Sequence, residues 1–131
     1  MPFTFLYIYR KYYILIMKSV IKLSKKITTK ENFWNLLNIW RFKEEKIVFT
    51  SGFFNQLSLK DITYLSESAD LGTKLVVGLY ADQSEGAESD QNARAHIIAS
   101  LFYVDAVIIC EEDSPEDLIS FINPDILLEG V

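Results

Sequence analysis

The sequence predicts a single α/β domain built on a parallel sheet, on three observations. Four short β-branched or aromatic runs, Lys46–Thr50, Lys74–Tyr80, Asp105–Ile109 and Asp125–Leu128, alternate with apolar patterns at helical spacing, the signature of βαβ crossovers. The second run, Lys74-Leu-Val-Val-Gly-Leu-Tyr80, is almost uninterrupted in apolar residues, as in strands covered on both faces. The chain has 131 residues, half of them hydrophobic, which suffices for one buried core.

In order along the chain, residues 1–17 form an extension expected to be poorly ordered. Arg10 and Lys11 cut it into apolar runs of seven (Phe3 to Tyr9) and six (Tyr12 to Met17), far short of the ~20 residues that span a bilayer. Neither the charge order nor the small residues of a signal peptide are present, so membrane contact is not expected, and Met17 is a plausible start of the chain. Residues 18–45 form a basic segment and a helix. Thr28 to Glu31 has capping-box spacing, Phe33, Leu36, Leu37 and Trp40 follow at helical intervals, and the helix should end before Arg41.

Residues 46–131 form the α/β domain proper. Its first strand is followed by a turn at Ser51-Gly52, then by a helix with Leu59, Ile62, Leu65 and Ala69 facing the core. The second strand leads through the polar loop Ala81 to Asp90 into a helix marked by Ala93, Ile97, Ile98 and Leu101. Ser114 as N-cap, Pro115 at the first helical position and the acids Glu116 and Asp117 start the last helix, before the fourth strand. Parallel α/β sheets bind ligands beyond the carboxyl ends of their strands, which points to the loops after Thr50, Tyr80, Ile109 and Leu128.

Charge is divided unevenly. Residues 1–46 hold ten Lys/Arg against three acids, while residues 47–131 hold three against fifteen, a net −12. A field of that sign repels polyanions, so the domain is not expected to bind nucleic acid. The single cysteine, Cys110, excludes an internal disulfide and suits a reducing, cytoplasmic compartment; no metal-ligand set is visible.

The segments Ile47-Val-Phe-Thr-Ser-Gly-Phe-Phe-Asn55, Tyr64-Leu65, Ala69-Asp-Leu-Gly72, Leu75-Val-Val-Gly78, Asp82, Arg94, Val104-Asp-Ala-Val107, Glu111-Glu-Asp-Ser-Pro115 and Pro124-Asp-Ile-Leu127 resemble, in order and spacing, the cytidylyltransferase-like nucleotidyltransferases. Within that family they look most like the heptose-1-phosphate adenylyltransferase domain used in making ADP-heptose for bacterial lipopolysaccharide. The resemblance runs from about Phe33 to Gly130. It implies a Rossmann-like sheet with the Lys46–Thr50 strand central, order 3-2-1-4 counting these four strands. It also implies transfer of a nucleotidyl group from ATP or CTP, with Mg²⁺, to a sugar or polyol phosphate, releasing pyrophosphate.

The family's His-x-Gly-His tetrad, whose imidazoles and helix amides hold the triphosphate, falls here on Ser58-Leu59-Lys60-Asp61. Both histidines and the glycine are replaced, and Ser58 with Asp61 has capping-box spacing instead. The acceptor-binding loop has four acids and no base between Asp82 and Asp90, Glu129 stands at a family lysine, and the sequence stops at Val131, before the later elements of the nucleotide site. Thr50, Gly52, Phe53, Asn55, Asp82 and Arg94 remain as nucleotide-binding candidates by match to the family pattern, Asn55 where the family usually has Asp.

Each of these residues also has a structural reading. Arg94 holds phosphate or forms an ion pair with surrounding acids; Asp82 binds ribose or metal, or caps its loop. Phe53 and Phe54 stack on a base or pack the core, Lys60 replaces a lost imidazole or pairs with nearby acids, His96 belongs on a helix surface, and Cys110 reads as a small buried hydrophobe. Two functions compete. In one, the chain is a catalytically impaired nucleotide-binding or interaction module, a homodimer or partner of an active paralogue; in the other, it is a working adenylyl- or cytidylyltransferase.

Overall fold

Five parallel strands form one sheet in the computed structural model, which describes residues 8–14, 23–81, 87–110 and 115–129, the side chains of 87–89 excepted. In chain order the elements are β1 (Ile27–Thr28), α1 (Lys30–Phe42), β2 (Ile47–Gly52), α2 (Leu59–Ala69), β3 (Lys74–Tyr80), α3 (Ala87–Ala99), β4 (Ala106–Cys110), α4 (Glu116–Ile122) and β5 (Ile126–Leu128). The strand order is β1-β4-β3-β2-β5. The four strands foreseen from sequence lie in the expected 3-2-1-4 order, and β1 adds an outer strand that the sequence did not signal.

Two cores flank the sheet. Phe33, Leu37 and Trp40 of α1 and Leu118 and Ile122 of α4 pack on one face against Ile47, Phe49 and Ile108. Leu65 of α2 and Ala95, Ile98 and Ala99 of α3 cover the other face with Val48, Val77 and Leu79. Burying both faces explains why β2 and the centre of β3 are wholly enclosed, and why their sequences run apolar rather than alternating.

Several local expectations are corrected. Thr28 is not a helix cap: it pairs with Ile108 in the sheet, and Thr29 caps α1 by accepting from the Asn32 amide. The Ser51-Gly52 turn is absent. Both residues stay in β2, paired with Gly78 and Leu79, because β3 supplies partners for two more rungs. Arg41 belongs to α1 rather than lying beyond it. Pro115, expected at the first helical position, occupies the N-cap position of α4 without a side-chain cap, and Ser114 lies outside the described residues.

Two helix faces differ in part from those read off the pattern: Leu65 and Ala69 of α2, and Ile98 and Leu101, pack on the core as expected. Leu59, at the first position of α2, is 79% exposed, so Leu65 and Ser68 carry that contact. On α3 the buried set is Arg94, Ala95, Ile98 and Ala99, while Ala93 and Ile97 face outward. Of the N-terminal extension, residues 8–14 are described and helical, with every residue exposed. Among the described residues no helix is long and apolar enough to cross a membrane.

Candidate functional site

β2 is buried along its whole length and ends at Gly52, beside the end of β3, where the chain must turn toward α2. Phe54 makes that turn with a positive φ of 50° and folds its ring back over Gly52; a Cβ there would stand 3.0 Å from Phe54 Cε2. Phe54 is thereby core, and Phe53 is left half exposed against Tyr80, ring centroids 4.9 Å apart. The core-packing reading holds for Phe54, while Phe53 stays half exposed.

Arg94 rises into the same turn from α3. Its Nη1 donates to the Phe53 carbonyl at 2.5 Å and to Asn55 Oδ1 at 3.1 Å. The residue is only 7% exposed, its Nη2 has no hydrogen-bond partner, and no carboxylate pairs with it among the described residues. The ion pair considered for Arg94 is therefore not formed there. A buried guanidinium with an unused donor is costly unless an acceptor arrives, and a planar fork suits the oxygens of phosphate or carboxylate. Its position on α3 puts this cation beside two other candidates, Phe53 and Asn55.

The remaining candidates serve the fold in part. Thr50 is buried with Oγ1 2.9 Å from Tyr64 Oη, and Tyr64 also donates to the Glu129 carbonyl at 2.9 Å, linking β2, α2 and the end of β5. Ser51 Oγ lies 3.2 Å from Tyr80 Oη. These tyrosines were not singled out by sequence reasoning; Tyr64 served only to align the motif, and neither position shows its long-range partner locally. Asp82 lies outside the described residues.

At the start of α2, Ser58 and Asp61 close the capping box their spacing predicts. The Ser58 amide and hydroxyl both donate to Asp61 Oδ2 at 3.0 Å, and the Asp61 amide donates back to Ser58 Oγ at 3.3 Å. The carboxylate thus sits at the positive end of the helix dipole. Lys60 is exposed and makes no ion pair among the described residues, contrary to the pairing considered for it.

Elsewhere, burial pushes the Cys110 thiol up to about 11, in keeping with an inert core residue. His96 is exposed on α3, with Nδ1 2.6 Å from the Asn92 carbonyl.

No protein-family model matches the chain. It is 40% identical over 117 residues to the bifunctional protein HldE of Campylobacter jejuni subsp. doylei, a match covering 84% of this chain and 25% of that protein. To the protein of the same name from Methylobacillus flagellatus it is 41% identical over 98 residues, 70% of this chain and 20% of the other. The chain thus spans about a quarter or less of the length of these curated relatives. Among solved structures, the lipopolysaccharide core biosynthesis protein from Thermoplasma volcanium matches with a TM-score of 0.56 and 32% identity, over 63% of this chain and 72% of that one. A shared fold at that identity, together with about 40% identity to the HldE proteins over most of the chain, places it in the cytidylyltransferase-like nucleotidyltransferase family, related to its heptose-1-phosphate adenylyltransferase domain.

Proposed function

We propose that the chain is a nucleotidyltransferase-fold module that no longer transfers nucleotides and acts by binding a nucleotide or a protein partner, such as a second copy or an active paralogue, in the cytoplasm. The observation that carries this reading is the closed capping box of Ser58 and Asp61. A helix start holds phosphate through free amides and the positive dipole end. Here two of those amides are bonded to the helix's own side chains and a carboxylate occupies the approach. Two like charges about 4 Å apart cost roughly 4 kcal/mol at the effective dielectric of a protein surface. The start of α2 therefore does not fit the triphosphate of ATP or CTP with its Mg²⁺.

Arg94 supports the alternative, an adenylyl- or cytidylyltransferase acting on a sugar or polyol phosphate, because its Nη2, without a partner among the described residues, is an anion donor already in place. Calorimetric titration of ATP and CTP, with a pyrophosphate-release assay on sugar phosphates, separates the two. Weak triphosphate binding and no release are expected. Replacing Ser58→His, Lys60→Gly and Asp61→His together should restore measurable affinity. Micromolar binding by the unaltered protein, about −8 kcal/mol, or pyrophosphate release would establish the active reading.

A further inference from the structure

On the reading of the chain as a nucleotide-binding module, we infer that its ligand is a nucleoside monophosphate, with the phosphate on Arg94 and the base on Phe53. The neutral side chain of Asn55 is what leaves the Arg94 charge unmatched for it. Arg94 is 7% exposed, yet the turn over it is not buried, because Phe53 and Asn55 both face solvent. Asn55 Oδ1 lies 3.1 Å from Nη1, so an exposed carboxamide caps the guanidinium. An amide oxygen satisfies a donor without balancing its charge. Asp90, one turn earlier on α3, makes no ion pair with Arg94 among the described residues. An incoming phosphate can replace Asn55 on Nη1 and occupy the partnerless Nη2 as well, the bidentate arrangement that suits guanidinium and phosphate.

The aromatic pair supplies the other half of the site. Tyr80 is fixed by its hydroxyl, 3.2 Å from Ser51 Oγ, and the Phe53 ring packs on it with centroids 4.9 Å apart, half exposed. The Phe53 carbonyl accepts from the same Arg94 Nη1, so ring and cation stand one residue apart, a span a ribose can bridge. Stacking on an aromatic face tolerates any base. A single phosphate suits one guanidinium, and the start of α2 offers no second position, being closed by its own capping box.

Calorimetric titration of AMP and CMP into the full chain, against ribose 5-phosphate and inorganic phosphate, tests the assignment. Either monophosphate should bind about tenfold or more tighter than the two probes that lack a base. Phe53→Ala should remove that advantage and leave the binding of inorganic phosphate unchanged. Asn55→Asp should weaken AMP about tenfold or more, because its carboxylate pairs with Arg94 in place of the ligand, while the melting temperature holds or rises. Asn55→Ala, which removes the cap without adding charge, should bind AMP at least as well as the parent. AMP binding no tighter than ribose 5-phosphate, or AMP binding indifferent to Asn55→Asp, overturns the inference. Triphosphate binding and pyrophosphate release, which decide whether the chain transfers nucleotides, can come out either way without changing these outcomes.

Discussion

Asp125 brackets Ile47 with two hydrogen bonds: its amide donates to the Ile47 carbonyl at 2.9 Å, and its carboxylate accepts the Ile47 amide at 2.8 Å. The same device recurs one strand pair away, where Asp105 holds both backbone groups of Leu75 at 2.9 and 2.8 Å. An aspartate just before a strand thus fixes where the neighbouring parallel strand begins. Arg41 joins the first bracket through Asp125 Oδ2 at 3.3 Å while its other nitrogen donates to the Ile122 and Asn123 carbonyls at the end of α4.

Asp125→Ala should therefore destabilise the protein by about 2 kcal/mol, since it leaves the Ile47 amide without an acceptor. Asp125→Asn retains an acceptor oxygen and should lose clearly less. Urea denaturation of the two variants measures the difference, and equal losses would remove the bracket from the account.

Gly72→Ala should cost about 2–3 kcal/mol. A Cβ at Gly72 would stand 2.6 Å from the Lys46 carbonyl oxygen and 2.7 Å from Val48 Cγ2. That carbonyl cannot retreat, because it accepts from the amides of both Thr73 and Lys74, at 2.8 and 3.1 Å. A variant melting with the parent would show that the turn before β3 yields more easily than its hydrogen bonds suggest.

Inorganic phosphate should stabilise the protein through Arg94. Saturating phosphate, compared with chloride at matched ionic strength, is expected to raise the melting temperature by a few degrees, roughly 3–6 °C, and to leave Arg94→Met unmoved. The same shift in both proteins would place the anion elsewhere.

Above pH 9 stability should fall, partly through Cys110. The thiol ionises near 9.0 ordinarily but only near about 11 in the fold, because burial disfavours the thiolate. Between those values the folded chain keeps a proton that the unfolded chain has lost, so unfolding gains as pH rises. Cys110→Ala should flatten that part of the pH profile in thermal melts. Thiol reagents should label native Cys110 slowly at pH 8 and quickly in denaturant.

Local sequence carried the four main strands and their helices, because a sheet covered on both faces demands uninterrupted apolar runs such as Leu75 to Leu79, and βαβ units demand helices between them. The capping box of Ser58 and Asp61 was equally legible, since its bonds span only three residues. Other features were settled by contacts distant in sequence. Ile27 and Thr28 become a strand only because β4 has an unpaired edge to offer, and Ser51 and Gly52 remain in β2 only because Gly78 and Leu79 lie alongside. Phe53 and Phe54 are indistinguishable in sequence, and the φ of 50° at Phe54 sends one ring into the core and leaves the other half exposed. Arg94 reads as a surface cation on its helix, yet the fold buries it against a turn 39 to 41 residues earlier in the chain. Hydrogen bonds within a turn are specified by neighbours along the chain; burial depends on what the rest of the fold brings to the same place.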